Sequence, residues 1–339
     1  MSELPVLSAH GLSVSFQGAG GRIARAVDGV DLDLRRGEIV ALVGESGCGK
    51  TTLARTLVGL EPPSAGEVLV DGTPLDRSRR GLRRHRRSVQ LVLQDPTGAL
   101  NPRHSVYEAV AEGLRIHGRH EGERDRVSAA LAAAGLRPPE RFFLRYPHEL
   151  SGGQRQRVVI AGALALEPQV IVADEPVSSL DASVRGEILG LLLRLRADLG
   201  LSLLVVTHDL GLAWNIADRI AVMYLGRIVE QGPTEQVLEN PQHPYTRALL
   251  SVVPEIHHLE PQVLSGEPPD PSRIPAGCRF HPRCPLLQPD PDGRPSAAER
   301  AGVADLCRSQ QLPVLPADGG HRAACLMAGH SGMPLPTVS

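Results

Sequence analysis

Apolar and polar positions alternate along the N-terminal stretch as they do in half-buried strands. Leu12-Ser-Val-Ser-Phe16 and Gly29-Val-Asp-Leu-Asp-Leu34 both alternate. Glu38-Ile-Val-Ala-Leu-Val43 turns continuously apolar, the pattern of a strand covered on both faces. Residues 1–92 therefore read as strands joined by Gly-rich turns. From 104 to 166 the spacing becomes helical, most clearly over Val106–Ile116 and Val127–Leu136. Strand signals return at Val170–Ala173 and Ser202–Val206, with a helical stretch, Val184–Leu199, between them. Strands alternating with helices predict an α/β fold on a parallel sheet, with the helical block inserted as a subdomain.

The pattern breaks near residue 254. Fifteen of the 29 prolines fall in the last 86 residues, so that segment is expected to be neither mostly helix nor central sheet. It reads as an irregular appendage that needs a staple of another kind. The longest apolar run, Val158–Leu166, is nine residues and too short to span a bilayer. Met1-Ser-Glu-Leu-Pro5 lacks the charged-then-apolar pattern of a signal peptide, so the chain reads as cytosolic.

Composition narrows the picture. A length of 339 residues predicts two to three domains, or one large domain with an appendage. Hydrophobic residues at 42% and charged residues at 22% exclude global disorder. A net charge of -2 does not mark the whole chain as a nucleic-acid binder. Arg77–Arg87 holds seven arginines in eleven residues and is read as a solvated face, with nucleic-acid contact the lesser alternative. Lys50 is the only lysine beside 35 arginines, which points to a task that needs a compact ammonium. Four of the five cysteines lie between Cys278 and Cys325. A reducing compartment disfavours disulfides, so a metal centre is the better reading.

Gly44-Glu-Ser-Gly-Cys-Gly-Lys-Thr51 fits G-x-x-x-x-G-K-[ST] after the strand Ile39–Val43 and before a helical pattern, Thr51–Leu60. Its glycines let backbone N–H groups face phosphates at a helix N-terminus. Gly44, Ser46, Gly47, Cys48 (through its backbone), Gly49, Lys50, Thr51 and Thr52 are the expected nucleotide-binding positions. Lys50 is expected to bridge the β- and γ-phosphates and Thr51 to hold Mg²⁺. Val170-Ile-Val-Ala-Asp-Glu175 ends a strand in two carboxylates, where Asp174 can hold Mg²⁺ and Glu175 can polarise water. Leu150-Ser-Gly-Gly-Gln154 precedes the helical run Arg155–Leu166, and Ser151, Gly152, Gly153 and Gln154 form a second phosphate cradle. Two cradles in one chain are expected to serve opposite ends of one nucleotide, within the chain or across a dimer.

This set resembles the ATP-binding subunits of ABC transporters, with Leu150–Gln154 matching the family signature. The resemblance implies a RecA-like P-loop cassette, a catalytic role for Glu175, and further site residues. Gln94 matches the glutamine that contacts Mg²⁺ and the membrane partner. Ser179-Leu-Asp181 matches the D-loop, His208 the histidine that senses the γ-phosphate, and Phe16 the aromatic that stacks on adenine. Gln94-Asp-Pro, Leu100-Asn-Pro-Arg103, Tyr224–Glu230, His243–Leu250 and Gly277–Cys284 resemble the dipeptide/oligopeptide/nickel permease ATPases. Glu175–Asp181 looks more like the F-type than the D-type subunit. The expected boundaries are a cassette at 1–253, with a helical subdomain at about 95–157, and an extension at 254–339.

Cys278, Cys284, Cys307 and Cys325 are spaced C-x5-C-x22-C-x17-C. Four thiolates suit a 4Fe-4S cluster or tetrahedral Zn²⁺, and the resemblance favours iron. His281 and His321 are read as bystanders. The cluster is expected to staple the tail and to leave nucleotide binding alone, because the P-loop and Asp174 lie elsewhere in the sequence; an iron-responsive sensor is the rival reading. The resemblance implies ATP and Mg²⁺, a second ATPase subunit in a heterodimer, two membrane-spanning permease subunits and an extracytoplasmic peptide-binding protein. It places the chain peripherally at the cytoplasmic face of the membrane, with no nucleic-acid partner. The class-level rival is a soluble ABC protein acting on DNA or ribosomes.

Overall fold

The structure is a computed structural model that describes residues 4–18, 21–253, 261, 262, 264, 266–289 and 294–328. Two sheets organise it. The first is antiparallel and four-stranded, in the order β2-β1-β4-β5, built from β1 (Leu7–Gln17), β2 (Ile23–Leu34), β4 (Ala65–Val70) and β5 (Thr73–Pro74). The second is seven-stranded, in the order β11-β10-β9-β3-β8-β7-β6. Its strands are β3 (Ile39–Val43), β6 (Val89–Val92), β7 (Val170–Asp174), β8 (Ser202–Thr207), β9 (Arg219–Tyr224), β10 (Arg227–Pro233) and β11 (Arg322–Ala323). The central strands β3, β7 and β8 are apolar almost throughout and buried at every position, as a parallel sheet covered on both faces requires.

Helices α1 (Lys50–Leu57), α2 (Arg79–Ser88), α3 (Pro96–Ala99), α4 (Val106–Ile116), α5 (Glu123–Ala133), α6 (Gly152–Leu164), α7 (Ala182–Leu199), α8 (Leu210–Ile216), α9 (Thr234–Glu239) and α10 (Pro244–Ser251) connect these strands. The expected helical block is interrupted: between α5 and α6 the chain makes only 3-10 turns at Pro139–Arg141 and Pro147–Glu149. Three prolines, at 138, 139 and 147, remove the backbone donors a continuous helix needs there. The arginine run forms α2, which buries only Gly81 and His85 and so presents most of its arginines to solvent. None of the described helices is long and apolar enough to cross a membrane.

Beyond residue 253 the described chain adds 3-10 turns at His281–Arg283 and Pro285–Leu287, short helices α11 (Ala297–Arg300) and α12 (Ala304–Ser309), and β11. The tail docks on the cassette. β11 pairs antiparallel with β10, Ala323 opposite Glu230. Phe280 is 1% exposed and its ring packs 5.2 Å from that of Tyr224 and 5.4 Å from that of Tyr245, in a cluster that also holds Val43. Phe280→Ala is expected to cost about 3–5 kcal/mol of docking, the usual penalty for emptying a buried aromatic site. Limited proteolysis checks this: cleavage beyond residue 253 should accelerate while the cassette resists.

Candidate nucleotide-binding site

Strand register assembles the site. Val43 at the end of β3 pairs with Thr207 at the end of β8, and Asp174 at the end of β7 pairs with Val206. Val92 at the end of β6 lies opposite Ala173. The residues that follow these ends (Gly44, Glu175, His208 and Gln94) therefore come together at the carboxyl edge of the parallel strands, where open α/β sheets bind ligands. They border an open cleft of about 640 Å³ lined by Ala26, Gly44, Glu45, Ser46, Gly47, Gly49, Lys50, Thr51, Thr52, Gln94, Glu175, His208, Leu249 and Pro271. That volume lies in the usual range of small-molecule sites, roughly 300–1,000 Å³.

The P-loop wraps the start of α1. Gly49 caps that helix at φ 109°, and a Cβ there would sit 2.0 Å from the Ala26 carbonyl, so only glycine fits. Lys50 is 6% exposed, and its Nζ donates to the carbonyls of Gly44 at 2.7 Å and Glu45 at 2.9 Å. Cys48 is buried and outside the cleft lining, and burial pushes its thiol up, consistent with a backbone role. Thr51 Oγ1 donates to Asp174 Oδ1 at 3.3 Å, which brings two of the three expected Mg²⁺ ligands together. Burial pushes the Asp174 carboxyl up, with the Thr51 hydroxyl opposing it. Glu175 stands at φ 50°, a left-handed conformation costly for a side-chain-bearing residue and common where function holds the backbone. Its Oε1 lies 2.8 Å from His208 Nδ1.

Other expected residues lie outside this cleft. Ser151 caps α6 in a capping box with Gln154, and Asp181 stands at the N-cap position of α7 without a side-chain capping hydrogen bond. Neither these nor Gly152 and Gly153 line the cleft. Phe16, near the end of β1 and 40% exposed, does not line it either; Ala26 on the paired strand does.

Three contributors were missed in the sequence. Tyr245 Oη accepts the Glu45 N–H at 2.8 Å, and Arg283 donates to both carboxylate oxygens of Glu45 at 2.7 and 2.9 Å. Pro271 lines the cleft, and its carbonyl accepts the Arg25 N–H at 3.2 Å. The tail, far from the P-loop in the sequence, therefore touches it directly. Tyr245 and Arg283 both lie within recognisable segments, His243–Leu250 and Gly277–Cys284, but nothing in the sequence places them against Glu45.

Cys278, Cys284, Cys307 and Cys325 converge on a second cavity, of about 20 Å³, shared with Phe280, Leu286 and Met327. Burial pushes all four thiols up, Cys325 to about 12. Among the described residues, no group of three or more His, Cys, Asp or Glu side chains stands placed to hold a metal ion.

A phosphate-cradling loop, an adjacent strand-end aspartate and a carboxylate–histidine pair define a P-loop NTPase. Residues 27–178 match the ABC transporter family, and residues 229–290 match the oligopeptide/dipeptide transporter C-terminal region. The chain is 45% identical over 293 residues to the dipeptide transport ATP-binding protein DppF of Haemophilus influenzae, covering 83% of this chain and 88% of that one. It is 46% identical over 271 residues to DppF of Escherichia coli, covering 78% and 80%. Among solved structures it is similar to the dimeric post-hydrolysis state of the ATP-binding cassette MJ0796 bound to ADP and Pi. There the TM-score is 0.60 at 32% identity, covering 67% of this chain and 98% of that one. The chain belongs to the ATP-binding subunits of ABC transporters, with the C-terminal region of the oligopeptide/dipeptide branch.

Proposed function

We propose that this chain is the ATP-hydrolysing, energy-coupling subunit of an ABC importer of dipeptides or oligopeptides. The match of residues 229–290 to the oligopeptide/dipeptide C-terminal region carries the reading, and the relatives named DppF support both it and the F-type assignment. The cassette is read as residues 1–253, with its helical subdomain at about 95–157, and the tail as 254–339. The chain works at the cytoplasmic face of the membrane, held by two permease subunits, with a second ATPase subunit and an extracytoplasmic peptide-binding protein completing the importer.

In this reading the N–H groups of Gly44–Thr52 and the Lys50 ammonium hold the β- and γ-phosphates, while Thr51, Asp174 and Gln94 would hold Mg²⁺, which would supply neutralisation of phosphate charge. Ser151–Gln154 and Asp181 do not face their own chain's cleft, which supports their action on nucleotide bound by the partner ATPase. Glu175 accepts a proton from the attacking water, and His208, hydrogen-bonded to it, keeps it aligned. Water oxygen bonds to the γ-phosphorus as the bond to the bridging oxygen breaks, and loss of phosphate reopens the pair. Reconstitution with permeases and binding protein tests the reading. ATP turnover should rise with a dipeptide or oligopeptide present; stimulation by nickel alone would move the chain to the nickel branch, and by neither would overturn the importer reading.

The donor chemistry of the tail suits a thiophilic centre: four cysteines, one buried and three partly buried, line one cavity, and a bound cation would offset the burial that raises their thiols. The cavity holds little more than one water's worth of space and its cysteines do not stand placed to hold a metal ion, so a cluster requires them to rearrange. Cys278, Cys284, Cys307 and Cys325 would hold the cluster, which would staple the Pro-rich segment. Anaerobically purified protein is expected to be brown, with about four iron atoms per chain. Cys278→Ser or Cys284→Ser should lose the colour and loosen the tail. Stoichiometric zinc without iron would assign zinc instead, and absence of any metal would remove the staple.

A further inference from the structure

We propose that Arg283 is a positioning residue for the P-loop, so that nucleotide affinity depends on the docked tail. The proposal rests on the reading of the Gly44–Thr52 cleft as an ATP site.

Glu45 is the first residue after Gly44, where the chain leaves β3 and turns into the phosphate cradle. Each of its polar groups is held. Its N–H donates to Tyr245 Oη, its carbonyl takes the Lys50 ammonium at 2.9 Å, and its carboxylate takes both arms of the Arg283 guanidinium. Two of these three holds come from residues 200 and 238 positions downstream. The loop they restrain carries glycines at 44, 47 and 49, which leave its backbone little conformational preference of its own. A cradle that binds phosphate through N–H groups needs those groups fixed before the ligand arrives, because affinity falls by the fraction of time they are not.

The clamp has the geometry of a strong contact. A bidentate guanidinium–carboxylate pair is both directional and charge-assisted. The Arg283 side chain is 6% exposed and that of Glu45 25%, so water screens the pair only in part. The guanidinium carbon also lies 5.9 Å from the Tyr224 ring centroid, which fixes its plane. Arg283 sits in the turn His281–Arg283, between Cys278 and Cys284, so its position is set by the same short segment that supplies two walls of the thiol cavity. On the other side of that segment Arg279 pairs with Asp28 and donates to the Leu225 carbonyl, tying it to the strand that carries Ala26 of the cleft. Docking and ATP binding are then linked, and the linkage is reciprocal: whatever tail docking adds to nucleotide affinity, nucleotide adds to docking.

The test compares wild type, Arg283→Gln, Glu45→Gln, the double variant and Arg283→Lys by equilibrium ATP binding, steady-state kinetics and proteolysis beyond residue 253. Each single Gln variant is expected to bind ATP about 5- to 50-fold more weakly, within the usual span of coupling between sites. KM should rise in parallel, and in Arg283→Gln, which lies outside the cleft lining, kcat at saturating ATP should change little, a split that general loss of structure would not produce. The double variant should be no worse than either single one, because both remove one interaction. Arg283→Lys should restore part of the affinity by keeping the charge without the fork. ATP should slow tail proteolysis in wild type and fail to do so in Arg283→Gln. Glu45→Gln lies in the cassette and carries the test if Arg283→Gln does not fold. Unchanged ATP affinity in Glu45→Gln, or fully additive losses in the double variant, would overturn the clamp. A wild type that binds no ATP would instead overturn the function on which it rests.

Discussion

Glu175→Gln is expected to keep ATP binding and to slow hydrolysis by about 10²–10⁴-fold, the usual worth of general base catalysis. The side chain lines the cleft, one residue beyond the buried Asp174, and its Oε1 is 2.8 Å from His208 Nδ1. Glutamine keeps the length and one acceptor oxygen, so the histidine contact and the strained backbone at φ 50° can persist. The variant lacks a carboxylate to take the proton. It should therefore accumulate ATP-bound protein. Single-turnover hydrolysis in the assembled complex measures the effect, and near-normal turnover there would remove Glu175 from the role.

Lys50→Arg should lose about 10²–10³-fold in turnover, the order that follows loss of one preorganised donor to developing charge. The substitution keeps the charge, so the loss isolates shape. The Lys50 ammonium is 6% exposed and fits between the carbonyls of Gly44 and Glu45, a space that admits a compact head with three rotatable donors. A planar guanidinium is larger, and its fork cannot point at both carbonyls and at phosphate from that position. In a chain where the other 35 basic residues are arginine, retention of lysine at this one position already marks the constraint. ATP affinity and turnover equal to wild type in the variant would refute it.

The central sheet was legible because its strands are continuous apolar runs bounded by glycines and carboxylates. Ile39–Val43, Val170–Asp174 and Ser202–Thr207 differ from the sequence reading by one residue at most. The long helical block was less legible, since apolar spacing continues through 134–150 while prolines interrupt the hydrogen bonding. α6 starts three residues before the expected helical run at Arg155, because the Ser151–Gln154 capping box starts the helix in glycines that carry no periodic signal.

By itself, the sequence determined which groups are the candidates for the chemistry. The P-loop, Asp174, Glu175, Ser151–Gln154 and His208 are local patterns, each bound to a strand end or a helix start, and such patterns depend on backbone conformation over a few residues. Only the tertiary structure decided which of them share a cleft. The register of four parallel strands brings Gly44, Gln94, Glu175 and His208 to one edge, and leaves Ser151–Gln154 and Asp181 outside it. It also decided what the tail does. Composition marked residues beyond 254 as irregular, and the described ones form only short turns, short helices and a two-residue strand, but the contacts that matter join Arg283 to Glu45 and Phe280 to Tyr224. Both join positions far apart in the chain: a side-chain pair so separated has no periodicity, propensity or spacing to betray it, and forms only because the folded cores bring its members together.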